Sequence, residues 1–286
     1  MNATSLTSTY QLNNGIQIPV IGFGTWQAED GQQAYDAVKW ALEAGYRHID
    51  TAKIYNNEES VGKAIKDSGI ERSEIFVTTK VWNTDRGSAE NTKQAFEDSL
   101  ARLGLDYVDL YLIHWPEPAS FRDRWQEANA QDWAVMEDFY NQGKIKAIGV
   151  SNFRQIHIDE LEKTQKIAPM VNQIFLNPGD TDSELVKYSK EKGMVVEAYS
   201  PLGLGELLDH PTIAEIAEKL DKSPAQVLIR WSLQHELLPL PKSTHQEYIQ
   251  ANGEVFDFEI SSDDMKTLDT LNGTTKQHTD PTNGDF

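Results

Sequence analysis

The chain contains no cysteine. That excludes disulfides, thiol nucleophiles and cysteine-ligated metal, and it is the usage of a reducing compartment, so a cytoplasmic location is expected. Positive charge is also scarce: 26 Lys and Arg against 45 Asp and Glu leave a formal net charge of -19 over 286 residues. A field of that sign repels nucleic acid and anionic membrane surfaces, so neither is expected as a partner. No apolar run approaches the roughly 20 residues that span a bilayer. The opening MNATSLTSTY has no basic region followed by an apolar stretch, so no secretory leader is expected. Gly22 and Gly24 stand in GFGTW, but without the G-x-G-x-x-G or the Lys-Ser/Thr tail that marks a dinucleotide-binding turn or a phosphate loop.

What is present is a regular alternation. After a hairpin signalled by Asn14-Gly15 between two short alternating runs, apolar strand-like runs fall at residues 19–25, 48–50, 75–79, 107–113, 147–150, 170–173, 194–198 and 237–240. Helical periodicity separates them, with stops at Gly45, Gly104 and Gly193 and a cap at Ser223-Pro224. Thr181 and Glu184 suggest a capping box. Residues 117–131 are polar and are expected to form a long loop before a helix at 133–141. Strand then helix throughout, without a linker, implies a parallel sheet with helices outside. Eight such strands in this length predict a single α/β domain over residues 1–286, a (β/α)8 TIM barrel with an N-terminal β-hairpin plugging one end.

Active sites of such barrels lie at the C-terminal ends of the strands. Here those ends carry Trp26, Asp50, Lys80, His114, Ser151-Asn152, Gln173, Tyr199 and Lys242, with Tyr55 five residues past Asp50. Taken alone, Asp50 could equally cap a loop with Tyr55 packed beneath it, Lys80 with Asp50 could be a structural buried pair, and His114 a satisfied core histidine. As a ring they form a site. A lysine beside a phenol favours the phenolate and lowers its pKa, a carboxylate keeps that lysine charged, and a histidine donates to a substrate oxygen. The set suits general acid catalysis at an oxygen that gains negative charge. His48-x-Asp50 invites a metal-hydrolase reading, but the other strand ends supply no converging histidines, so no metal is expected. Trp26, Trp82 and Trp115 follow three different strands and, with His114, suggest an aromatic substrate pocket. The 117–131 loop and the tail to Phe286 would bound it.

The motifs GFGTW, GYRHIDTAKIYNNE, TTKVWN, DLYLIHWP, GVSNF, Asn172-Gln173, AYSPLG and LPKS resemble those of the aldo-keto reductases over essentially the whole length, closest to the bacterial branch similar to 2,5-diketogluconate reductases. The resemblance implies NAD(P)H-dependent reduction of a small carbonyl compound by a monomer. Tyr55 would donate the proton, Lys80 and Asp50 tune it, and His114 orient the carbonyl. Ser151, Asn152 and Gln173 would hold the nicotinamide carboxamide, and Tyr199 would stack on the ring. Further cofactor contacts are implied at Gly24, Thr25, Trp26 and Asp50 and at Ser200, Pro201, Leu202 and Gly203. Lys242, Ser243, Tyr248 and Asn252 would meet the adenosine side. A non-catalytic nucleotide-binding module on the same fold is the alternative. There are two departures from the family pattern, of which the first bears little on chemistry and the second bears on the choice of cofactor. Ile174-Phe175-Leu176-Asn177-Pro178 replaces a more usual Glu-Tyr-His-Pro, and Tyr248 and Ala251 stand where relatives carry Arg and Glu. A tyrosine lacks the guanidinium fork that grips a 2'-phosphate, so NADPH is expected to be accepted through Lys242 with appreciable NADH use.

Overall fold

The structure, a computed structural model, describes residues 3–275 and 279–284. The chain opens on an antiparallel hairpin of β1 (Thr9–Gln11) and β2 (Gln17–Pro19), registered Thr9 to Pro19 and Gln11 to Gln17. Leu12 and Ile18 are buried in the core. The hairpin is tied to strand-entry segments by three side chains: Tyr10 donates to the Leu237 carbonyl, Asn13 to Pro169 and Asn14 to Lys146. It therefore plugs the end of the barrel opposite the strand C-termini.

Eight strands follow in one parallel sheet, ordered as in the chain. They are β3 (Phe23–Gly24), β4 (His48–Asp50), β5 (Phe76–Val81), β6 (Val108–Ile113), β7 (Ile145–Ser151), β8 (Val171–Phe175), β9 (Val195–Tyr199) and β10 (Leu238–Leu240). Helices α1 (Gln32–Glu43), α2 (Glu58–Asp67), α3 (Ala89–Leu103), α4 (Trp125–Asn141), α5 (Gln155–Leu161) and α6 (Ser183–Glu191) come one after each of the first six strands. Then α7 (Pro211–Leu220) and α8 (Pro224–Gln234) follow β9, and α9 (Gln246–Gly253) and α10 (Ser262–Asp269) follow β10. Because helices cover the outer face, β5 and β8 are buried at every position.

The barrel closes between its first and last strands. The Gly22 and Gly24 amides donate to the Pro239 and Pro241 carbonyls at 3.1 and 3.0 Å. Glycine permits this approach: a Cβ on Gly22 would lie 2.5 Å from Leu240 Cδ2 and 2.7 Å from His48 Nδ1. The fold is thus the (β/α)8 barrel with an N-terminal hairpin that the alternation implied. Among the described residues no helix is long and apolar enough to cross a membrane.

Three elements differ from the sequence reading. The expected strand over 19–25 is divided: Pro19 pairs in the hairpin, and only Phe23–Gly24 joins the barrel. The expected loop over 117–131 is mostly helix, because a 3-10 turn at Ala119–Arg124 leads into α4 at Trp125. The buried stripe of α4 runs Trp125, Ala128, Asn129, Asp132, Trp133, Met136, and two of its members are polar because they bind a buried arginine, Arg86. Finally, α6 is capped by Asp182, whose carboxylate accepts from the Leu185 amide, not by Thr181, whose amide donates to Asn272.

Candidate active site

The C-terminal mouth gathers polar side chains that the strands hold below the surface. Lys80, in β5, is fully buried, and its ammonium donates to Asp50 Oδ1 at 2.7 Å, to the Thr51 carbonyl at 2.9 Å and to Tyr55 Oη at 3.4 Å. Burial alone would discharge it. The Asp50 carboxylate, the Tyr55 oxygen and Glu197 outweigh that and hold its pKa above the ordinary lysine value. Tyr55 ends a 3-10 turn, Lys53–Tyr55, pinned by an ion pair from Lys53 to Asp85 at 2.8 Å. The phenol's pKa is nevertheless raised: burial dominates, and Lys80 lowers it as expected but offsets the burial only in part.

His114 lies just past β6, its ring edge-on to Tyr55 at 5.9 Å and to Trp82 at 5.1 Å. Burial, and then the Lys80 charge, push its pKa well below the ordinary histidine value, so the imidazole is neutral and carries one N–H. Its Nδ1 has no hydrogen-bond partner among the described residues. A phenol and a neutral imidazole facing one space can together hold an oxygen.

Beside this pair, Asn152 adopts a left-handed conformation (φ 61°), which asparagine tolerates better than most residues. Its amide donates to the His114 carbonyl at 2.9 Å and to Ser151 Oγ, and its oxygen accepts from Tyr199 Oη at 2.8 Å. Gln173 turns its amide NH2 toward two carboxyl groups, Asp50 at 2.9 Å and Glu197 at 2.6 Å. With two acceptors on the NH2, its carbonyl oxygen is turned away from them and suits a donor such as a carboxamide. Ser200 and Gly203 also have positive φ, 50° and 59°, in the loop that carries Pro201 and Leu202. Thr25 bonds back to the Asp50 carbonyl, which holds the Gly24–Trp26 segment over β4; Trp26 itself is 43% exposed.

On the next face, Lys242 is half-buried, and its hydrogen bond among the described residues runs to the Gln27 carbonyl at 3.2 Å. Burial lowers its pKa. Ser243 Oγ accepts from the His245 amide at the start of α9. Tyr248 is 59% exposed with its ring 5.6 Å from that of His245, and Asn252 is buried in the same helix. Lys242, Ser243, His245 and Tyr248 thus gather at one helix start, a cationic and aromatic surface suited to a nucleotide phosphate and base. Phe286 lies outside the described residues. Two cavities, of about 330 and about 780 Å³, lie elsewhere, along α1 and α9 and between α6, α8 and α10, and include none of these residues.

The sequence reading missed Glu197. It is fully buried in β9, its Oε1 is 3.9 Å from His48 Nε2, and His48 Nε2 is 2.9 Å from Thr78 Oγ1. Burial first, and then the Asp50 charge, raise the Glu197 pKa to about 8. The available signal was a lone acid inside the apolar run Val195-Val196-Glu197-Ala198-Tyr199.

The mouth of this barrel thus joins a buried Lys–Asp pair to a tyrosine, with a histidine ring edge-on beside it. Residues 20–273 match the model of the aldo/keto reductase family, and the chain belongs to that family. It is 49% identical over 269 residues to glyoxal reductase of Bacillus subtilis, covering 94% of each chain. Among solved structures it superposes on an aldo-keto reductase enzyme from a Medee basin deep-sea metagenome library (TM-score 0.91, 46% identity, 97% of this chain and 100% of that one). It also superposes on a Bombyx mori aldo-keto reductase in complex with NADP (TM-score 0.86, 36% identity, 96% and 95%).

Proposed function

We propose that the protein reduces aldehydes and ketones to alcohols with a nicotinamide cofactor, using Tyr55 as proton donor. The observation that carries this reading is the charged, fully buried Lys80 ammonium, 3.4 Å from the Tyr55 oxygen and 2.7 Å from Asp50. A reduced nicotinamide, when bound, supplies the hydride. Tyr55 gives its proton to the oxygen that becomes negative, and the phenolate left behind is stabilised by the adjacent ammonium. Neutral His114 donates to the same oxygen and orients it. Ser151, Asn152 and the Gln173 carbonyl oxygen would hold the carboxamide, with Tyr199 against the ring. Trp26, Trp82 and Trp115 favour an aromatic or apolar carbonyl, and the relative named glyoxal reductase makes small dicarbonyls the first alternative. Purified protein mixed with NADPH and a panel of both kinds should consume the nicotinamide absorbance; no turnover across the panel would sink the reading.

The cofactor would be NADPH with appreciable NADH use. Lys242 and Ser243 remain to meet a 2'-phosphate, whereas exposed Tyr248 can stack on adenine but offers no guanidinium. A missing hydrogen bond to a charged group costs about 1.5–3 kcal/mol, roughly ten- to a hundredfold in affinity. Tyr248→Arg should therefore improve kcat/KM for NADPH while leaving NADH nearly unchanged. An unchanged ratio, or a parent already strongly selective for NADPH, would show that another group, His245 foremost, serves the phosphate.

A further inference from the structure

The Arg86 side chain is fully hidden beside the mouth, and the proposed chemistry gives Arg86 itself no role. Its guanidinium reaches three acceptors. Nη1 donates to Asp132 Oδ2 at 2.8 Å, and Nη2 donates to Asn129 Oδ1 and to the Trp115 carbonyl at 3.1 Å. Neither side chain of the Arg86–Asp132 pair is exposed. The guanidinium face lies 4.8 Å from the ring centroid of Phe121. Asp132 also accepts from the Gly87 amide at 3.1 Å and from Thr92, and Arg124 donates to the Gly87 carbonyl. The loop after β5, which begins at Trp82, is thereby fastened to the loop after β6, which begins at His114-Trp115. The residue before it, Asp85, pairs with Lys53 on the Tyr55 turn at 2.8 Å. Adjacent side chains thus tie one loop to both neighbours. Only a planar fork can serve Nη1 and Nη2 partners while stacking on a ring; an ammonium on a flexible stem cannot span them.

We propose that Arg86 is a positioning residue for substrate selectivity: it locks the loops carrying Trp82 and Trp115 into one preformed wall, and that wall selects aromatic carbonyl compounds over small ones. The proposal rests on the carbonyl-reductase reading above. A substrate that lies against both indoles depends on the wall, whereas a small dialdehyde reaching only Tyr55 and His114 does not.

The test compares the parent with Arg86→Lys and with Asn129→Leu, which removes one acceptor and leaves the Arg86–Asp132 pair. Each is assayed with a small aliphatic dialdehyde and with an aromatic aldehyde, and NADPH affinity is read from its fluorescence. In Arg86→Lys, KM for the aromatic aldehyde should rise by about tenfold or more. KM for the dialdehyde, kcat for both and NADPH affinity should stay near parental values. Asn129→Leu should shift selectivity the same way by less, and it carries the test if Arg86→Lys does not fold. Amide exchange over residues 83–87 and at Trp115 and Glu117 should quicken in either folded variant. Selectivity unchanged in a folded variant, or a loss shared equally by both substrates, would overturn the proposal. A parent inactive on every carbonyl would overturn the reductase reading instead, and unchanged exchange in the variants would then deny the lock by itself.

Discussion

At the scale of single residues, the mouth depends on charges held where water cannot screen them. Lys80 keeps its proton because Asp50 and the Thr51 carbonyl accept from it, and Tyr55 keeps its proton because burial outweighs that lysine. On the proposed reading, Tyr55 would then be a reservoir that gives up its proton only when a substrate oxygen becomes basic. Tyr55→Phe keeps the ring and removes the donor, so turnover should fall by roughly 10²–10⁴-fold while NADPH affinity, measured by fluorescence, changes little. A mutant that retains most activity would pass the donor role to His114. Glu197 allows a test by pH. Its folded pKa of about 8 lies above the ordinary 4.5. Between those values the unfolded chain has released this proton and the folded chain still holds it, so the group's contribution is complete below about 4.5 and lost as pH rises to about 8. Glu197→Gln keeps a neutral side chain at every pH. In urea denaturation its stability relative to the parent should therefore grow as pH rises through that window; a flat difference would mean that Glu197 ionises alike in both states.

At the scale of elements, helix packing reverses an ordinary expectation. Gly62 lies inside α2, where alanine would normally stabilise a helix by roughly 0.5–1 kcal/mol. Here an added Cβ would sit 2.0 Å from the Leu103 carbonyl oxygen at the end of α3, and that atom is backbone and cannot swing away. Gly62→Ala should lower the thermal midpoint, and a raised midpoint would show that α2 and α3 can slide apart. The same scale separates what could be read from the sequence from what could not. Ser223 and Pro224 announced α8, and the structure has the full capping box with Gln226 there, because capping is a local interaction. The strand-end residues were legible because each follows an apolar run. The start of α4 was not, since Asn129 and Asp132 look solvated until Arg86, more than forty residues earlier, is folded against them. Glu197 was hidden for the same reason: its partners Gln173 and His48 come from other strands.

At the scale of the whole molecule, the barrel is a ring, and a ring has no finished form until its ends meet. Gly22 and Gly24 find their acceptors at Pro239 and Pro241, and Tyr10 finds its acceptor at Leu237. Residues near the start of the chain therefore wait for partners made more than two hundred residues later. On a ribosome this sets an order of events. While the early strands emerge, Asp50 and Lys80 can already meet through the neighbouring β4 and β5, but Glu197 and Gln173 have not yet been made, and β3 lacks its second neighbour. A nascent chain stalled before Pro239 should remain sensitive to a protease that a chain stalled far enough beyond Pro241 resists. If shorter chains were equally protected, the first strands would have to hold together as an open sheet. A protein closed by its last strand spends its whole synthesis with that seam open, and this is the interval in which a chaperone would have something to hold.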